Sequence, residues 1–186
     1  MRHDNTLDSQ RAALVVIDVQ EGFRRVVPDF AGLCARVARA VSGARLLGVP
    51  VLVTEQYPKG LGRTAGEVRA ALPDDFEPFE KTAFSSCGAA AFAARLDALG
   101  PGRQIMICGL ETHVCVNQTA HDLLALGHQI HLLTDCVASR AEENRQVALR
   151  KMELSGALPS STETALFELL RDATHEQFKA VQKLIK

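Results

Sequence analysis

A three-layer, doubly wound α/β fold around a central, mostly parallel sheet is what this 186-residue sequence predicts. Two observations carry that prediction. Short, mostly apolar runs rich in β-branched residues recur along the chain, without the strict apolar–polar alternation of a half-exposed strand. A strand covered by helices on both faces has that pattern. Between the runs lie stretches whose apolar residues keep three-to-four spacing, the mark of an amphipathic helix. Strand and helix alternating through a whole chain give this fold class. No repeat, low-complexity tract or Pro/Ser-rich linker interrupts the alternation, so residues 1–186 are expected to form a single domain.

The elements follow in order. Residues 12–17 (AALVVI) form the first strand, ending at Asp18, and residues 49–54 (VPVLVT) the second. Between them Phe30, Leu33, Val37, Val41, Ala44 and Leu47 mark a helix, with Gly48 as its stop. Residues 104–108 (QIMIC) and 129–134 (QIHLLT) are the third and fourth strands, and residues 157–160 a weaker fifth. Val116, Ala120, Leu123 and Leu124 share one helix face, stopped by Gly127. Four pairs fit the capping-box spacing: Thr64 with Glu67, Ser139 with Glu142, Ser160 with Glu163, and Thr174 with Gln177.

Composition narrows the function. With 21 basic against 22 acidic residues the formal net charge is −1, and a nucleic-acid or anionic-membrane partner would require a basic surplus. No apolar run approaches the ~20 residues of a membrane span, and no export signal is visible, so a cytoplasmic protein is expected. The five cysteines, Cys34, Cys87, Cys108, Cys115 and Cys136, are odd in number, scattered and without a CxxC pair. That distribution suits neither a disulfide framework nor a structural zinc site.

In doubly wound sheets ligands bind beyond the carboxyl ends of the strands. That rule singles out Asp18, Thr54, Glu55 and residues 109–115. Cys115 falls in the first turn of a helix just past a central strand. There the helix dipole is expected to lower its pKa toward neutrality, and backbone amides can hold an oxyanion. Asp18, directly after an apolar strand, is costly near a core unless paired, although a turn-starting aspartate is the simpler explanation. Lys81 lies between two phenylalanines, where a snorkelling surface lysine is the common case. A carboxylate, an ammonium and a thiol together make an activated nucleophile. Asp18 and Lys81 are placed at strand ends or loops outside the core, so their replacement is expected to leave the protein folded.

The motifs VVIDVQEGF, FEKTAFSS, ICGLETHVCV and TDCVASR span nearly the whole chain. They resemble the isochorismatase-like cysteine hydrolases, the superfamily that includes nicotinamidases and N-carbamoylsarcosine amidohydrolases. The resemblance implies a Rossmann-type topology, Asp18 as general base, Lys81 as the cation beside thiolate and oxyanion, and Cys115 as nucleophile. It also implies a non-proline cis peptide between Leu110 and Glu111, with the amides of Glu111 and Cys115 facing the substrate oxygen. Nicotinamidases carry an Asp-His-His metal site after the second strand, whereas residues 54–62 here read TEQYPKGLG. No metal or other cofactor is therefore expected, and nicotinamide is an unfavoured substrate. Isochorismatases that cleave a vinyl ether lack the cysteine, so Cys115 argues against that reaction.

The wording TEQYPKGLG and GLETHVCV is most similar to isochorismatase-domain proteins whose substrate is unsettled. The expected function is hydrolysis of a small amide, imide or ureide through a thioester, in a homo-oligomer, as relatives commonly assemble. Gln20, Phe23, Gln56, Tyr57 and His113 are candidates to line the substrate pocket. Glu111 is expected to point into the fold, and Arg140 to make a structural salt bridge. His121, His128 and His131 have no metal-site spacing, and the other cysteines suit packing. A binding or redox-responsive protein using Cys115 as an oxidisable thiol is the alternative. Retained Asp18 and Lys81 favour hydrolysis, since a sensor thiol needs no base. No GxGxxG follows any strand, which sets aside a dinucleotide enzyme.

Overall fold

The computed structural model describes residues 2–186. Its centre is one six-stranded sheet: β1 (Ala12–Ile17), β2 (Val51–Gln56), β3 (Phe79–Lys81), β4 (Gln104–Gly109), β5 (Gln129–Val137) and β6 (Leu158–Ser160). The spatial order is β3-β2-β1-β4-β5-β6, and every neighbouring pair is parallel. Six consecutive buried residues make β1 the middle of the molecule, which is why its sequence is apolar throughout. Each such Val, Leu or Ile contributes about 1.5–3 kcal/mol when fully buried.

Helices cover both faces. On one side lie α1 (Phe30–Leu46), the short turn α3 (Gly66–Arg69), α7 (Thr162–Leu170) and α8 (Phe178–Ile185). On the other lie α4 (Ala90–Asp97), α5 (Asn117–Ala125) and α6 (Glu142–Leu154). A further single turn, α2 (Pro58–Leu61), follows β2. Among the described residues no helix is long and apolar enough to cross a membrane. α1 ends where the sequence placed its stop, with Gly48 at φ +69°.

The chain reverses its winding between β1 and β4, and that switch point opens a crevice at the carboxyl ends of these two strands. The strands close tightly there. Leu110 donates its N–H to the Ile17 carbonyl at 2.8 Å. A Cβ on Gly109, whose φ is +122°, would stand 2.0 Å from that same oxygen. Only glycine lets the backbone come so near.

Several expectations need correction. The second strand starts at Val51 and runs on to Gln56, and β5 continues past a register shift to Val137. The three-residue edge strand β3, missed in the sequence, carries Lys81. None of the four capping boxes forms as spaced. Thr64 donates to Glu55, Ser139 faces His113, and Thr174 bonds to Asp172. The cap of α7 is Ser161, one residue on, which accepts from the Thr164 N–H. The side chains of Thr64, Ser139 and Thr174 each take a partner other than the helix amide, the competition to which Ser and Thr are prone.

Candidate active site

Asp18 leaves β1 with φ +53°, a left-handed conformation that aspartate tolerates better than most residues. Its side chain is not at the surface: both it and the Lys81 side chain are 1% exposed, and Lys81 Nζ lies 2.7 Å from Asp18 Oδ2. Both groups have further partners. Thr54, at the end of β2, donates its hydroxyl to Asp18 Oδ1 at 2.7 Å. Lys81 Nζ also donates to Gln56 Oε1 at 2.7 Å, to the Phe84 carbonyl at 3.0 Å and to the Ala83 carbonyl at 3.2 Å. A buried ion pair persists only with such satisfaction. The expectation that Asp18 and Lys81 stand outside the core is therefore corrected. A strand end at the switch point is covered by its neighbours.

Cys115 sits in a five-residue π-helical turn, Thr112–Val116, that leads into α5. Wide turns of this kind cluster at functional sites. The turn is anchored by Thr112, whose N–H donates to the Ala138 carbonyl at 2.9 Å. The thiol is 6% exposed, and its Sγ stands 4.0 Å from Gln56 Oε1, the oxygen that also accepts from Lys81. Burial pushes the Cys115 thiol up to about 12, with the Asp18 charge adding to the rise and Lys81 opposing it. The expected drop toward neutrality is thus corrected: desolvation outweighs the nearby ammonium. At rest the sulfur keeps its proton, so attack requires a base. Labelling of Cys115 by iodoacetamide should therefore rise about tenfold per pH unit from pH 7 to 10, as thiolate fraction does below its pKa. Mass spectrometry of timed samples measures it, and a plateau near pH 7 would contradict this electrostatic account.

The Leu110–Glu111 bond is cis, as the resemblance implies. Glu111 points inward, 6% exposed, and its Oε1 accepts from the N–H and Nε of Arg140, each at 3.0 Å. That is the structural pair expected of both residues.

The candidate pocket residues divide. Gln56 is in the site. Tyr57, 54% exposed, joins Pro58, Lys59, Glu80, Lys81 and Thr82 around a cavity of about 300 Å³. His113, in the π-turn, pairs through Nδ1 with Ser139 at 3.0 Å. Gln20 stands behind the site: it is fully buried, and its amide is used up by the Gln56 and Gly62 carbonyls and the Gln56 N–H. Phe23 packs against the α1-side core. Neither places its side chain in the cleft as a ligand contact.

Thr54 had no role assigned from sequence, though the strand-end rule pointed to it, and the Ala83 and Phe84 carbonyls were missed entirely. Backbone acceptors leave no trace in residue identity. Burial also pushes the Cys34 and Cys136 thiols up to about 12, and the Cys108 thiol well above its usual range, in keeping with packing roles. Among the described residues no group of three or more His, Cys, Asp or Glu could hold a metal ion.

The model of the isochorismatase domain matches residues 12–164. The isochorismatase domain-containing protein 2 of Bos taurus is 44% identical over 173 residues, covering 93% of this chain and 82% of that one. A structure described as the MAR1 ribonuclease of Caenorhabditis elegans is 36% identical, with a TM-score of 0.90 over 97% of this chain and 92% of that one. The YcaC protein of Escherichia coli, described as an octameric hydrolase of unknown specificity, shares the fold at 24% identity, with a TM-score of 0.89 over 100% of this chain and 91% of that one.

Proposed function

Since the chain belongs to the isochorismatase family, we propose that it is a cysteine hydrolase cleaving the C–N bond of a small amide, imide or ureide. The observation that carries this is the buried Asp18–Lys81 pair at 2.7 Å, joined to Cys115 through Gln56. A packing cysteine requires neither of these costly charges beside it.

The chemistry follows from the protonation states. Asp18 takes the Cys115 proton as sulfur attacks the carbonyl carbon, which removes the barrier that desolvation sets up. Lys81 balances the charge that develops, and the amides of Glu111 and Cys115 hold the oxyanion. Collapse breaks the C–N bond, the leaving nitrogen takes the proton from Asp18, and a thioester remains on Cys115. Water, deprotonated by Asp18, then attacks the thioester, releases the acid and returns the proton to sulfur.

A panel of small amides, ureides and imides should yield at least one substrate for the wild type and none for Cys115→Ala. Equal turnover by both would end the proposal. The name of the nematode structure brings in a second substrate, RNA, which belongs in the same panel. The formal net charge of −1 disfavours it. The redox-sensor alternative loses support, because a thiol held near 12 has little thiolate to oxidise. Self-assembly is part of the same proposal, in keeping with the octamer described for the Escherichia coli protein.

A further inference from the structure

Helix α6 turns Ala148 and Met152 into the core and presents the opposite face to solvent. That face carries Val147, 69% exposed, and Leu154, 71% exposed, the two most exposed large apolar side chains among the described residues. Seven residues apart, they fall on one line along the helix. Glu143 and Lys151 stand four residues to either side of Val147 on the same face, and neither has an ion-pair partner among the described residues. Arg150, nearby, is already paired with Glu153 at 3.2 Å. Along the stripe Glu143, Val147 and Lys151 follow one another at four-residue spacing, acidic, apolar and basic, and Leu154 closes the helix.

A parallel copy of this helix would set like charge on like. An antiparallel copy, related by a two-fold axis at Val147, sets Val147 on its own counterpart and Lys151 against Glu143 of the partner subunit, twice over by symmetry, with Leu154 beyond this paired segment. We propose that the outer face of α6 is a self-complementary docking surface for a second copy of this chain, packed antiparallel about Val147. This rests on the assembly part of the proposed function and is independent of the chemistry at Cys115.

Light scattering at tens of micromolar protein tests it. The wild type should give a multiple of the 20.1 kDa chain mass, and Val147→Glu should halve that mass without changing the circular dichroism, since the side chain is already exposed. Glu143→Lys and Lys151→Glu should each weaken association at least tenfold. The double reversal should restore it, because positions eight residues apart are about 12 Å apart along one helix and cannot pair within it. A wild type at 20.1 kDa would overturn both this surface and the assembly proposal. An oligomer indifferent to Val147→Glu would overturn the α6 surface alone. Failure of the double reversal to rescue would overturn the antiparallel register.

Discussion

Cys115→Ser is expected to lower turnover of a true substrate by about 10,000-fold or more while leaving the melting temperature unchanged. The swap is nearly isosteric at a site with 6% exposure, so packing survives. Chemistry does not, because the pocket already pushes a thiol up to about 12, and a hydroxyl is far harder to deprotonate in the same surroundings. Residues that act as one unit are not additive. Asp18→Asn combined with Cys115→Ser should therefore be little slower than Cys115→Ser alone. Steady-state kinetics and a thermal scan on the same preparations measure both. Wild-type turnover in Cys115→Ser would remove the sulfur from the mechanism.

Lys81→Met should act on stability as well as on rate. It strands Asp18, whose side chain is 1% exposed, without its ammonium. Removing one partner of a buried pair costs about 3–5 kcal/mol, which for a chain of this size lowers the melting temperature by on the order of 10 °C. Asp18→Asn/Lys81→Met should recover part of that loss, since no buried charge is then left unpaired. The recovery is incomplete, because the Ala83 and Phe84 carbonyls still lack their donor. The double variant should stay inactive, with turnover down about 100-fold or more. An unchanged melting temperature in Lys81→Met would mean that the pair is not buried as described. Full activity in the stable double variant would reduce both residues to a structural role.

Much of this site was legible before any coordinates. β1 and β4 are buried on both faces, so their apolar runs stand out, and Asp18 directly after β1 and Cys115 in the turn beyond β4 lie past the carboxyl ends of the strands, where the sequence rule pointed. The family motifs identified Lys81, which spacing alone did not. β3 is three residues long at the sheet edge and has no run to detect. Thr64 and Ser139 satisfy a spacing rule written for helix caps, yet Glu55 and His113, distant in sequence, outcompete the helix amides. The charge state of Cys115 was misjudged for a related reason. A helix start lowers a thiol's pKa, but only the packed structure shows how much water the site has lost.

The central claim is a covalent acyl group on one sulfur, and rapid-quench mass spectrometry tests it most directly. Wild-type protein mixed with a substrate from the amide panel should be quenched in acid within the first turnovers and digested. The peptide containing Cys115 should gain the mass of the acyl fragment, the gain should vanish in Cys115→Ser, and it should decay at the rate of product release. Turnover in burst conditions with every cysteine peptide unmodified would contradict the account.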